Sequence, residues 1–203
     1  MTYLLAHAPR VAGLLAQHVV LVLVSLAVAL LIALPLGVIA ARSPRAGTLI
    51  LAVTGMLYTI PSLALLALLV AVLGLGTLTA VVALVAYAQM ILIRSVVAGL
   101  RGVDPALVDA ARGLGFTARQ RLLRVEFPVA LPVVLGGVRV ATVSLVALAT
   151  VAAWINAGGL GVLLFEGIGT NNPDKIFAGA LAAAALAIAA DALLRGAERA
   201  VRT

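Results

Sequence analysis

Cysteine is absent from this chain, which excludes disulfides, thiolate metal sites and cysteine nucleophiles. Charge is scarce as well. Asp, Glu, Lys and Arg make up 10% of 203 residues, too little to clothe a soluble domain of this size. The only lysine, Lys175, lies in "NNPDKIF", so no glycine-rich loop ending in Gly-Lys-Ser/Thr exists and the chain is not expected to hydrolyse ATP itself. Aromatic residues amount to 4% and are scattered, which argues against a dense aromatic cage for a cation. The two histidines, His7 and His18, do not have a metal-ligand spacing on one helix face, and both are read as interfacial residues.

Apolar residues are what the chain has in excess, at 65%, with a mean hydropathy of +1.26. This is the composition of an all-α polytopic membrane protein. A span needs about 20 apolar residues, and five stretches qualify: 19–41, 49–73, 77–100, 129–154 and 176–194. Gln89 and Arg94 interrupt the third, where Arg94 sits late enough to snorkel toward an interface. The first run is longer than a signal-peptide core and lacks a basic leader, so it is read as a retained helix. Residues 1–18, with Leu4, Leu5, Val11, Leu14 and Leu15 interrupted by Pro9, form a separate N-terminal surface segment in this reading, and residues 19–203 the transmembrane domain.

The net charge of +7 and pI of about 11.3 would suggest nucleic acid for a soluble protein. Placement says otherwise. Arg42 and Arg45 follow the first span, Arg101, Arg112, Arg119, Arg121 and Arg124 separate the third from the fourth, and Arg195, Arg199 and Arg202 follow the fifth. All three groups fall on one side of a five-span chain, which the positive-inside rule makes cytoplasmic. The N-terminus is then outside and the C-terminus in the cytoplasm. Pro35 and Pro61 fall inside the first two spans, where each removes a backbone donor and bends its helix. No internal repeat is visible, and no acidic residue lies near mid-membrane, which leaves ion coupling little to work with.

One block is at odds with the rest: "DAARGLGFTARQRLLRVEFPVALP", residues 109–132. Four arginines in lipid would cost roughly 10 kcal/mol on the insertion scale, so they belong in water. A plain linker would be rich in Gly, Ser and Pro. Here Ala106, Leu107, Ala110, Ala111 and Leu114, then Leu122, Leu123, Val125 and Phe127, read as two helical segments around Gly113 and Gly115. Asp104-Pro105 is a cap and first position. A short helix with small residues on one face can dock into a groove of another protein; the plainer alternative is a solvated basic loop.

Asp109-Ala110-Ala111, Gly115, Val125, Phe127, Pro128 and Pro132 resemble the "EAA" loop of membrane subunits of ATP-binding-cassette importers. That pattern is Glu-Ala-Ala, three residues, Gly, nine residues, Ile-x-Leu-Pro, three residues, Pro. The spacing is kept throughout, with Asp109, Val125 and Phe127 in place of Glu, Ile and Leu. "TIPSLALLALL" at 59–69, "RGVDPALVDAARGLG" at 101–115 and "NAGGLG" at 156–161 look like permeases of osmoprotectant importers, which take up quaternary amines such as glycine betaine, choline or carnitine.

The resemblance implies a type I importer permease fold in which residues 101–128 form a cytoplasmic coupling loop. Asp109, Ala110, Ala111, Arg112 and Gly115 would dock on a cytoplasmic ATPase, and Pro128 and Pro132 would mark the re-entry into the fourth span. ATP and magnesium would belong to that partner, and this chain would hold no cofactor. A second permease, identical or homologous, and an extracytoplasmic substrate-binding protein complete the expected assembly in the cell membrane. Tyr58, Thr59, Pro61, Ser62, Tyr87, Gln89, Thr142, Ser144 and Asn156 are candidates for the translocation path, although any one of them can be a helix-packing hydrogen bond. Gly158, Gly159 and Gly161 are candidates for an outer gate, or else a glycine-rich turn. Arg139, in the fourth span, is expected either to snorkel or to pair with an acid. A permease for methionine or another amino acid is the alternative within the class; a channel or membrane scaffold is the alternative outside it.

Overall fold

The computed structural model describes Tyr3 and residues 7–202, with side chains placed through residue 200. Leu4 and Leu5 of the expected surface segment, and the side chain of Arg202, lie outside that range. The chain is built from helices. The first, α1 (Ala8–Arg42), runs unbroken for 35 residues and carries Pro9 in its first turn and Pro35 inside it. Proline is tolerated in a first turn because the missing N–H would have no helical partner there. No break in the helix falls at residue 18: from Ala8 onward the expected surface segment is continuous with the helix of the first span. His18 is also not interfacial, being fully buried.

The second expected span is broken. It consists of α2 (Pro44–Thr59) and α3 (Ser62–Leu73), which meet at 97°. Ser43 starts α2 by accepting a hydrogen bond from the Ala46 amide. Pro61 ends the run because a residue before proline is pushed from the α region, and Ile60 is extended at φ −66°, ψ 127°. Pro61 thus does more than bend a continuous helix.

The third span is α4 (Thr77–Arg101). After it come α5 (Pro105–Gly113), α6 (Ala118–Arg121), a π-helical segment (Leu122–Glu126) and α7 (Phe127–Ala152). Pro128 cannot donate to the carbonyl four residues back, and the ladder widens here, with the Phe127 amide bonding Leu122. The run from Ala118 to Ile155 is continuous, so the helix that carries the fourth span begins well before residue 129, in the charged block itself. A short turn (Ala153–Ile155), α8 (Gly161–Gly169) and α9 (Pro173–Arg202) complete the chain. The helix α8 falls in a stretch read from sequence only as loop.

Four of these helices are individually long and apolar enough to cross a membrane, and the bent pair raises the number to five. Contacts at the two ends of the bundle decide how the pair is counted. Arg42, just before α2, pairs with Glu126, whereas Gly76, just after α3, donates its amide to the Ile155 carbonyl at the far end of α7. α2 and α3 together therefore make one crossing.

Small residues set the core. Ala29, Ala33, Gly37 and Ala40 form a buried stripe on α1, and a Cβ built on Gly37 would lie 2.5 Å from Val96 Cβ on α4. α4 packs on its other side against α7, where a Cβ on Gly137 would lie 2.0 Å from Ser95 Oγ. Without a hydrophobic force between helices in lipid, such close approach supplies the packing. α4 is accordingly the most enclosed spanning helix.

Candidate functional site

The charged block folds as a helix–turn–helix at the end of the bundle shared by Arg42, Arg101 and Glu126. Asp104 caps α5 by accepting from the Ala106 amide, with Pro105 next in line. The helix ends in a Schellman motif: the Phe116 amide bonds the Ala111 carbonyl, the Gly115 amide bonds the Arg112 carbonyl, and Gly115 has φ +79°. A reciprocal capping box between Thr117 and Gln120 then starts α6. Local chemistry fixes both sides of this turn.

Its faces differ. Ala111 is buried against the rest of the loop, while Ala110, Asp109 and Arg112 are exposed. Asp109 and Arg112 pair with each other at 2.9 Å, with side chains 68% and 64% exposed. So open a pair contributes little to stability, and both groups remain free to exchange partners. Pro128 is exposed at the start of α7 and Pro132 half-buried within it.

The root of the loop is tied to α1. Arg101 donates to the carbonyls of Ala40 and Ala41 at the end of α1, where unpaired carbonyls and the helix dipole favour a cation. Arg42 donates to both oxygens of Glu126, at 2.9 and 3.2 Å. Neither contact was legible in the sequence, where these arginines counted only as basic loop residues.

The path candidates separate into groups. Tyr58 and Tyr87 meet edge to face with centroids 5.9 Å apart, and Tyr87 donates its hydroxyl to the Ile60 carbonyl freed at the helix break. Ser144 lies beside this pair, and Ser62 borders Tyr87 from α3. Pro61 is exposed at the break, while Thr59 spends its hydroxyl on the Met56 carbonyl. Gln89 donates to Ala29 and Val85, and Thr142 to Val138, all within the bundle. Both are buried. Asn156 is elsewhere, exposed at the opposite end in the left-handed region at φ 65°.

There the glycine-rich stretch is held by side chains of α1. Gln17 accepts from the Gly159 amide at 3.2 Å. His18 accepts from the Leu160 amide at Nδ1 and donates from Nε2 to the Val146 carbonyl, at 3.2 and 3.1 Å. Gly158 and Gly159 have φ +78° and +80°, whereas Gly161 starts α8 with its missing Cβ facing the Thr150 carbonyl. Arg10 and Lys175 both pair with Glu166 at this end.

Arg139 on α7 is ion-paired, 3.2 Å from Asp191 and 3.1 Å from Glu198, both on α9. Asp191 is shared with Arg195. The network gives a charge inside a span the compensation it requires.

A groove of about 440 Å³ opens between α2, α4 and α7, with Tyr58, Met90, Arg94, Ser95 and Gly136 among its walls. Arg94 thus lies on a cavity wall. Sequence reading missed Ser95 and Gly136 because, without the fold, nothing distinguishes them from other small residues in a span.

Five crossings, a helix break within the second of them and a separately capped helix pair at one end define a membrane transport subunit of the importer-permease type. Residues 33–203 match the family model "Binding-protein-dependent transport system inner membrane component", and the chain belongs to that family. It is similar to the carnitine transport permease protein OpuCB of Listeria monocytogenes, at 38% identity over 85% of this chain and 79% of that protein. It is also similar to the osmoprotectant import permease protein OsmW of Salmonella typhimurium, at 40% identity over 95% of this chain and 92% of that protein. Among solved structures, an inward-facing methionine transporter, MetNI, matches with a TM-score of 0.83 at 22% identity, covering 94% of this chain and 95% of that one; this likeness establishes the type I importer permease fold. The chain is a multi-pass membrane transport subunit and not an enzyme. Membership of the family implies an ATPase, a substrate-binding protein and a second permease as partners.

Proposed function

We propose that this chain forms half of the translocation path of an ATP-driven importer for quaternary-amine osmoprotectants such as glycine betaine, choline or carnitine. Residues 101–128 face the cytoplasm and dock on the ATPase, which holds ATP and magnesium. The N-terminus is then external, and the loop of Gly158, Gly159 and Gly161 faces the substrate-binding protein as an outer gate. The observation that carries the coupling role is the Schellman turn at Gly115: it ends a short helix that presents Asp109, Ala110 and Arg112, with Ala111 turned inward, on a root clamped to α1. The cargo class is supported by the printed functions of relatives that align with most of this chain. A channel or a scaffold would have no use for such an appendage. The likeness to a methionine transporter is one of fold and does not favour methionine as cargo.

The test is the assembled complex in proteoliposomes, with ATP hydrolysis and uptake of labelled glycine betaine, choline, carnitine and methionine followed together. Gly115→Val, the replacement least tolerated at this positive φ, sharply lowers binding-protein-stimulated hydrolysis and uptake; if both persist, the coupling role is wrong. Methionine uptake alone would overturn the cargo class. Because the chain has no cysteine of its own, Arg119→Cys and Lys175→Cys report sidedness directly. An impermeant maleimide applied to whole cells should label the second and spare the first.

A further inference from the structure

Arg94 is a fixed cation about 10 Å inside α4, counting seven residues from Arg101 at 1.5 Å each. Among the described residues it forms no ion pair, in contrast to Arg139, which has two carboxylates. An arginine within a span is costly and normally faces a partner or a watery cavity. Arg94 faces the cavity between α2, α4 and α7, whose walls carry no carboxylate. Tyr58 lines the same space, 46% exposed, with its ring set by the contact to Tyr87. At about 440 Å³ the cavity is in the size range of small-molecule sites.

The two groups have opposite preferences. A guanidinium binds a carboxylate through paired N–H donors and repels an onium ion. A tyrosine ring attracts an onium ion. A pure cation such as choline would cross this cavity against an uncompensated positive charge. A quaternary amine that carries its own carboxylate brings the missing partner with it.

We infer that this cavity is a transient binding site for zwitterionic quaternary amines, in which Arg94 takes the carboxylate and Tyr58 contacts the onium group, so that the permease itself favours betaines over choline. This rests on the quaternary-amine reading above and narrows it. Such a site need only be weak, since tight binding within a path would slow release.

The experiment measures initial uptake of glycine betaine and choline by the complete importer in proteoliposomes, at saturating binding protein, for wild type, Arg94→Gln, Arg94→Lys and Tyr58→Leu. Loss of a charge-assisted contact lowers glycine betaine uptake by about tenfold in Arg94→Gln; choline uptake stays within about twofold or rises, and Arg94→Lys retains more betaine uptake than the glutamine variant. Tyr58→Leu lowers both cargoes. Equal losses of both cargoes in Arg94→Gln, or no loss of either, overturn the assignment and leave the cargo class standing. Headgroup snorkelling by Arg94 would give that second pattern. If Arg94→Gln does not assemble, the betaine-to-choline ratio of Arg94→Lys decides, and an unchanged ratio overturns the assignment. Wild-type complex that carries neither compound overturns the cargo class and this inference together.

Discussion

Arg42, the last residue of α1, and Glu126, the last residue of the π-helical segment, meet side chain to side chain at 2.9 Å. They are 84 residues apart in sequence, and their contact joins the proposed coupling loop to the first span at the point where the loop enters the bundle. With Arg42 39% exposed and Glu126 13% exposed, the pair adds about 1 kcal/mol or less to stability. On the coupling role proposed above, its larger effect falls on transmission. Glu126→Gln is expected to leave the melting temperature nearly unchanged while lowering the cargo moved per ATP hydrolysed. The exchanged pair, Arg42→Glu with Glu126→Arg, should recover much of that ratio. Uptake and hydrolysis measured on the same proteoliposomes check both, and a ratio unaffected by Glu126→Gln would make the pair a surface contact only.

Gly115 is required for its backbone. No atom lies within 4 Å of where its Cβ would be, yet its φ is +79°. An L residue in that region is strained by roughly 1–2 kcal/mol, more for a β-branched one, and Asn least. The expected order of binding-protein-stimulated ATPase activity is therefore Gly, Asn, Ala, Val. A series without that order would mean that the turn itself does not matter.

Gly137 is required for its size. A Cβ there would stand 2.0 Å from Ser95 Oγ and 2.2 Å from Ser95 Cβ, so Gly137→Ala drives α4 from α7. Overpacking of this kind costs about 1–3 kcal/mol. Since Ser95 supplies both clashing atoms, Ser95→Gly should rescue Gly137→Ala, and Ser95→Ala should not. Thermal unfolding of the detergent-solubilised protein, run as a double-mutant cycle, measures the coupling; additive effects would disprove the close crossing.

His18 locks the loop at the far end. A carbonyl only accepts hydrogen bonds, so Nε2, which faces Val146, carries the ring proton, and Nδ1 is left to accept from Leu160. His18→Phe leaves the buried Leu160 amide without this partner, at about 1–3 kcal/mol, whereas the Val146 carbonyl lies within α7 and keeps its helical position. Hydrogen exchange at the Leu160 amide should then rise by roughly tenfold for each 1.4 kcal/mol lost locally. Unchanged exchange would show that the glycine loop holds its shape without α1.

The chain order of these features explains why some could be read early. The cap at Asp104-Pro105, the positive φ at Gly115 and the apolar stretches of the spans arise from each residue's own backbone preferences and from its neighbours a turn away, so spacing alone displayed them. The break at Pro61 was half legible: proline disfavours the local helix, but the 97° angle, and the Tyr87 hydroxyl that meets the Ile60 carbonyl left free, come from the packing of α2 and α3 on α4. The start of α1 at Ala8 was misjudged because Pro9 looks like an interruption until its place in a first turn is known. His18 and Glu126 had no signal of their own, and Arg94 showed only as a charge interrupting a span. A lone histidine, glutamate or arginine acquires its role from the group it faces, and their surroundings come from residues as far as 142 positions away. The sequence by itself determined that this chain crosses a membrane, where its basic segments fall and where its turns lie, because hydration and backbone sterics act over short range. Which charges are paired, which glycines are contacts and which arginine lines the groove between α2, α4 and α7 follow from the folded arrangement alone, because those depend on the approach of helices that the chain order keeps apart.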